Sequence, residues 1–135
     1  MPDGSRYLIV ALEGEGYAVP VDKVAEIATA QGIEQDPNLT AAFEGRIEIR
    51  GRRIPVLNLK RLFKLAGRPG GVLLVLKSAK GEVGILVDAV TEILDAERPP
   101  LPMPKGVVNP SLPYYSGIFR HKGGLILLLN ENGLL

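Results

Sequence analysis

An all-β fold, of the small-barrel or sandwich kind, is what this sequence predicts, and three observations carry that expectation. Short runs of Val, Ile and Leu recur along the chain, each closed by a glycine-containing polar turn. Sixteen glycines and eleven prolines punctuate the 135 residues, the spacing of short strands and tight turns. Apolar residues make up 46% and aromatics only 5%, so the core must be aliphatic.

The strands come in pairs. Tyr7 to Leu12 and Tyr17 to Val21 flank Glu13-Gly14-Glu15-Gly16 and read as a first hairpin. Ile47 to Ile49 and Ile54 to Leu57 flank Arg50-Gly51-Arg52-Arg53, a second. Val72 to Leu76 and Val83 to Val87 enclose a third turn at 77–82, and Ile118-Phe119 and Leu125 to Leu129 a fourth at 122–124. Between them, Asp22–Ile27, Leu59–Leu65 and Asp88–Leu94 read as helices of about two turns. Asp22 and Asp88 stand where their carboxylates can cap the first turn.

The chain also repeats itself. Tyr17 to Ile27 overlays Val83 to Ile93 without a gap, with Val21/Val87, Asp22/Asp88, Val24/Val90, Glu26/Glu92 and Ile27/Ile93 identical. Gly45 to Phe63 overlays Gly117 to Leu135, matching Gly45/Gly117, Gly51/Gly123, Ile54/Ile126, Leu57/Leu129, Asn58/Asn130 and Leu62/Leu134. Halves of this size bury a core poorly alone, so two halves, at about 6–66 and 72–135 with a linker around 67–71, should share one.

Sixteen basic residues against fifteen acidic ones leave a formal charge of +1, without the positive excess that nucleic-acid and membrane-surface binders carry. No cysteine is present, which excludes disulfides and thiolate metal sites and suits a reducing cytoplasm. The polar stretch from Met1 to Arg6 lacks the plan of a signal peptide, and no apolar run reaches the roughly 18 residues of a membrane helix. A cytoplasmic protein with no direct membrane insertion is expected.

Catalytic groups are scarce. The single imidazole, His121, sits among cations in 120–124 and reads as a solvent-exposed turn residue. Without clustered carboxylates or thiols it makes no transition-metal site. Gly67-Arg68-Pro69-Gly70-Gly71 lacks the Lys-Ser/Thr ending of a phosphate loop and reads as the linker. Asp22, Glu26, Asp88 and Glu92 are accounted for as caps and exposed helix faces. No enzyme activity and no cofactor are expected. One cluster stands out: Arg46, Arg50, Arg52, Arg53, Lys60, Arg61 and Lys64, opposed within that span only by Glu48. It reads either as solvated hairpin edges that block unwanted strand pairing or as a patch for an acidic partner. The lack of interleaved aromatics weakens its nucleic-acid version.

Taken in order, Tyr17-Ala-Val-Pro-Val-x-x-Val-x-Glu-Ile27, Gly45-x-x-x-Ile-Arg-Gly51, Ile54-Pro-Val-Leu-Asn-Leu59, Val83-Gly-Ile-Leu-Val-Asp-x-Val-x-Glu-Ile93 and Tyr115-x-Gly117 resemble the successive blocks of the CheW-like domain, from about Arg6 to Leu135. The resemblance implies a single CheW-like domain over 1–135. Its fold would be two small SH3-like five-stranded β-barrels packed around a shared hydrophobic core, with a few short helices. It also implies a non-catalytic scaffold that couples chemoreceptors to a CheA-type histidine kinase in bacterial chemotaxis signal transduction. The implied partners are the regulatory domain of that kinase and the cytoplasmic tip of the receptors. Carried over position by position, partner-binding residues fall on Val24, Glu26, Gly45, Arg50, Val90, Ile93 and Gly117. Arg50 stands out among them, because its donor fork can hold a carboxylate or backbone carbonyls in fixed geometry.

Three departures from the family pattern matter. Asn58 and Asn130 stand where the family commonly has Asp, and Arg52-Arg53 is more basic than the usual pair. They leave room for an adaptor of a parallel surface-motility pathway. A different class of reading is a small β-barrel nucleic-acid-binding protein using Arg46 to Lys64.

Overall fold

Strands that are buried on both faces need apolar residues at every position, and several of the apolar runs belong to such strands. The computed structural model describes residues 6–95, 100–101 and 114–134. The polar residues before Arg6, and Leu135 at the end of the repeat, lie outside them. Ten strands follow in order: β1 (Arg6–Leu12), β2 (Glu15–Pro20), β3 (Val24–Thr29), β4 (Phe43–Ile49), β5 (Arg52–Asn58), β6 (Val72–Ser78), β7 (Gly81–Val87), β8 (Ala89–Asp95), β9 (Tyr115–His121) and β10 (Gly124–Leu129). One helical turn, α1 (Leu59–Leu62), follows β5, and single 3-10 turns occupy Val21–Lys23 and Glu131–Gly133.

The four hairpins form as expected: β1–β2, β4–β5, β6–β7 and β9–β10 are all antiparallel pairs. Three turn through two residues with positive φ at both: Glu13-Gly14 (49°, 82°), Arg50-Gly51 (52°, 79°) and Lys122-Gly123 (51°, 79°). That backbone hand matches the strand twist and wants glycine second.

The helices expected at Asp22–Ile27 and Asp88–Leu94 are strands instead. β3 and β8 run antiparallel to β6 and β1. Along β3 every second residue is exposed, the signature of a strand with one face to solvent, and β3 ends its sheet. Asp22 makes no side-chain cap bond, and Asp88 lies between two strands with no helix to cap. The helix expected at Leu59–Leu65 is one turn, ending at Leu62.

Two five-stranded sheets result, ordered β8-β1-β2-β10-β9 and β3-β6-β7-β5-β4. Adding five to each strand of the first half gives its counterpart in the second, and this renumbering converts one sheet order into the other. The repeat is therefore real in three dimensions. The sheets do not coincide with the halves 6–66 and 72–135, however. Each half contributes three strands to one sheet and two to the other. Each sheet is an open ladder of five strands, whose first and last strands are not joined by a backbone ladder.

The exchange explains the doubly buried runs. In β1, Leu8, Val10 and Leu12 enter the core between the sheets, while Tyr7 and Ile9 join Ala18, Phe119, Ile126 and Leu128 inside the first sheet. In β6, Leu74 and Leu76 face the same shared core, while Leu73 and Val75 pack with Ile47, Ile49, Ile54, Val56 and Leu86 inside the second. The shared aliphatic core expected from the composition is present.

Candidate functional site

The positions carried over from the family divide by environment. Gly45 and Gly117 are buried and occupy equivalent places. After each, the next residue pairs with an isolated stretch of chain: Arg46 with Glu34 through two bonds of 2.8 Å, and Ile118 with Leu101 through bonds of 2.8 and 2.9 Å. The crossing segment passes over the glycine. A Cβ on Gly45, whose φ is +148°, would run into the Glu34 carbonyl, and one on Gly117 would stand 3.0 Å from the Leu101 carbonyl. Val24 and Val90 are half-buried against the shared core.

Arg50 and Ile93 are exposed, whereas Glu26 is half-buried, on the face of β3 opposite Ile27. Arg50 Nε lies 3.3 Å from Glu26 Oε1, with the arginine side chain 77% exposed. This pair joins β3 to the β4–β5 turn, and β3 and β4 are the two ends of one open sheet. The second half repeats it: Lys122, in the turn position of Arg50, lies 3.3 Å from Glu92 Oε2 on β8. Ile27 and Ile93, one residue beyond each glutamate, are 52% and 51% exposed. Ile27 was not singled out from sequence, although its identity with Ile93 in the repeat marked it.

The basic cluster is not a free positive patch. Arg46 pairs with Asp36 at 2.6 Å, Arg52 with Glu82 at 2.6 Å and Arg61 with Glu44 at 2.7 Å. The bond from Arg46, followed by that from the Asn38 amide, holds the Asp36 carboxyl below its usual pKa. Arg52 is no solvated tip: its fork holds both oxygens of Glu82 and ties β5 to the β6–β7 hairpin.

Lys60 departs furthest from expectation. It is buried, its side chain 5% exposed, and Nζ donates to Asp88 Oδ1 at 2.7 Å, Glu13 Oε1 at 2.6 Å and the Arg68 carbonyl at 2.8 Å. Asp88 also accepts from the Glu13 amide at 2.8 Å. The bonds from Lys60 to Asp88 and then Glu13 raise the lysine pKa against the pull of burial. Burial acts to raise the Asp88 pKa, but the bonds from Lys60 and the Glu13 amide outweigh it and hold the carboxyl below its usual range. The segment expected as a plain linker is thereby pinned. Arg68 accepts from Lys60, Gly71 accepts from the Ala30 amide at 3.0 Å, and a Cβ on Gly70 would collide with the Val87 carbonyl.

His121 ends β9 rather than sitting in a turn, and it is only partly exposed. Its Nε2 lies 3.3 Å from Glu92 Oε1, so the acidic neighbour comes from β8, remote in sequence.

The match to known proteins covers this whole arrangement, with the CheW-like domain aligned over residues 6–135. The chain belongs to the CheW-like domain family. It is 26% identical to the chemotaxis protein CheW of Klebsiella aerogenes over 136 residues, covering 98% of this chain and 82% of that protein. The crystal structure of the scaffolding protein TtCheW from Thermoanaerobacter tengcongensis shares the fold, with a TM-score of 0.86 at 23% identity, over 98% of this chain and 92% of that one. Among the described residues of this CheW-like chain, no helix is long and apolar enough to cross a membrane.

The CheW-like frame also gives Asn58 and Asn130 a physical reading. Asn58 Oδ1 caps α1 by accepting from the Arg61 amide at 3.2 Å, and Asn130 Oδ1 accepts from the Asn132 amide at 3.2 Å. Asp could cap as well. Asn58 Nδ2, however, donates to Glu44 Oε1 at 2.8 Å, and an aspartate there would set two carboxylates face to face. Asn58→Asp is expected to cost about 1–2 kcal/mol at neutral pH, the loss of a part-buried hydrogen bond with a repulsion added. Glu44→Gln should recover most of it. Urea midpoints of the single and double variants measure this, and an Asn58→Asp protein as stable as the parent would dismiss the contact.

Proposed function

We propose that this chain is a non-catalytic coupling scaffold of bacterial chemotaxis, joining the cytoplasmic tip of chemoreceptors to the regulatory domain of a CheA-type histidine kinase in the cytoplasm. The observation that carries this reading is the match to the CheW-like domain along the chain, from residue 6 to 135. The pairing of the arginine cluster with Asp36, Glu26, Glu82 and Glu44 speaks against the nucleic-acid reading. Each open sheet acts as an SH3-like barrel whose seam is held by side chains, Glu26 with Arg50 in one and Glu92 with Lys122 in the other. Arg50 and Ile93 form contact positions on the outer surface, with Ile27 added to them, and half-buried Glu26 orients Arg50. Val24 and Val90 support those strands from beneath, and Gly45 and Gly117 shape the strands that carry the turns.

Arg50→Ala is the test. Its ion pair is exposed and contributes under about 1 kcal/mol to folding, so melts should hardly move. A charge-assisted bond to a partner is worth about 1.5–3 kcal/mol, so affinity for the kinase regulatory domain or the receptor tip should fall roughly ten- to hundredfold. Arg52→Ala, which loses only the tie to Glu82, should bind as the parent does. Unchanged binding by Arg50→Ala removes it from the contact set. Equal losses in both variants that deepen with salt would instead point to diffuse charge and revive the nucleic-acid reading.

A further inference from the structure

Where the 30–35 crossing meets the 67–71 segment, the second sheet opens into a cleft. Its volume is about 420 Å³, a size usual for small-molecule sites. Its apolar side is Leu86, 2% exposed, with the half-buried Ala30 and Ile33, all part of the core inside that sheet. Both walls are held by hydrogen bonds to the main chain. Glu34 exchanges two with Arg46, the Ala30 amide donates to the Gly71 carbonyl, and the Arg68 carbonyl accepts from Lys60. Three polar side chains line the rim: Glu44, Gln35 and Arg68. Glu44 is already engaged, its Oε1 accepting from Arg61 at 2.7 Å and from Asn58 at 2.8 Å. Arg68 is exposed, and among the described residues no carboxylate pairs with its guanidinium, unlike those of Arg46, Arg50, Arg52 and Arg61.

An apolar cleft with one unpaired cation at its rim selects a ligand that is apolar at one end and anionic at the other. We propose that this cleft binds small amphipathic carboxylates, the hydrocarbon against Leu86, Ile33 and Ala30 and the carboxylate on the fork of Arg68. A guanidinium matches a carboxylate through two parallel bonds, which fixes the head of the ligand as well as attracting it. The exposed carboxamide of Gln35 offers further donors at the same rim. Glu44 does not repel the ligand as a free charge would, because Arg61 neutralises it. None of the residues that line the cleft belongs to the proposed partner-contact set, so the inference does not rest on the coupling role.

Hexanoate is the probe, titrated at neutral pH into the isotope-labelled full chain and followed by NMR. Hexanamide, with the same tail and no charge, and acetate, with the charge and no tail, are the controls. Hexanoate should shift the amides of Ala30, Ile33, Gly70, Gly71 and Leu86 along a saturable curve, with a dissociation constant on the order of 1 mM. Hexanamide should bind about tenfold more weakly, the loss of one charge-assisted pair, and Arg68→Gln should weaken hexanoate by a similar factor. Acetate should not saturate in that range. Hexanamide or acetate binding as tightly as hexanoate, an affinity unchanged by Arg68→Gln, or shifts that scatter over the surface without saturating would each overturn the proposal. The comparison of the three ligands on the parent chain decides it even if the variant fails to fold.

Discussion

Lys60→Ala is expected to lower the unfolding free energy by about 3 kcal/mol, the low end of what removing one member of a buried ion pair costs. The low end applies because Glu13 and Asp88 keep access to water, their side chains being 44% and 34% exposed. The variant loses the node that joins the first hairpin, α1, the 67–71 segment and the end of β7. A cycle of Lys60→Met with Asp88→Asn should return a coupling of about 1–3 kcal/mol. The pH dependence has a definite sign at each end. The lysine pKa is raised on folding, so its contribution is complete below the unfolded value of about 10.4 and is lost as pH rises through the folded one. The Asp88 pKa is lowered, so its contribution is complete above about 3.9 and is lost as pH falls through the folded value. The stability gap between parent and Lys60→Met should therefore be flat from roughly pH 5 to 9 and narrow outside it. A gap that is absent at neutral pH would mean the lysine is not held as described. Burial pushes the Tyr115 phenol up to about 12, and both proteins share that alkaline effect, so the comparison cancels it.

Gly45→Ala should cost about 3 kcal/mol, and Gly117→Ala about 1 kcal/mol. The positions are equivalent, but the first has φ of +148° with a backbone carbonyl where Cβ would go, whereas the nearest neighbours of a Cβ on Gly117 stand at 3.0 Å. An alanine at 45 must move the Glu34 crossing or its own strand. At 117 a few tenths of an ångström suffice. Thermal or denaturant melts decide it, and equal costs at the two positions would show that the crossings are not built as described.

What was legible in the sequence was local. The four hairpins announce themselves through apolar runs and turn glycines only a few residues apart, and the repeat survives because both halves need the same elements in the same order. β3 and β8 were misread because Val21, Val24 and Ile27 fall three apart, as on a helix face, with Asp22 placed like a cap. Pairing with β6 and β1, distant in sequence, overrides that spacing. The same distance hid Lys60: its acceptors at 13 and 88 are brought in by packing, and a lysine among arginines looks solvated. Of the candidate site, the pairing of Arg50 with a carboxylate was foreseeable from the arginine fork. That the carboxylate is Glu26, and that Lys122 and Glu92 duplicate it, required the fold. The expected arginine patch failed because Asp36, Glu44 and Glu82 reach it from neighbouring segments.

The exchange of strands between the halves bears on how the chain reaches its native state. Arg6 pairs with Asp95 in the first sheet, and Thr29 with Val72 in the second, so neither sheet can be completed until distant parts of the chain have met. Topologies dominated by such non-local contacts fold slowly, since loop closure must precede any gain from pairing. A protease cut within 67–71 would not release two independent pieces. The fragments would remain interlaced through both sheets and would come apart in one cooperative step. For the same reason, neither half can be borrowed by another protein as a freestanding module, and the duplication visible in the sequence persists only as an inseparable pair.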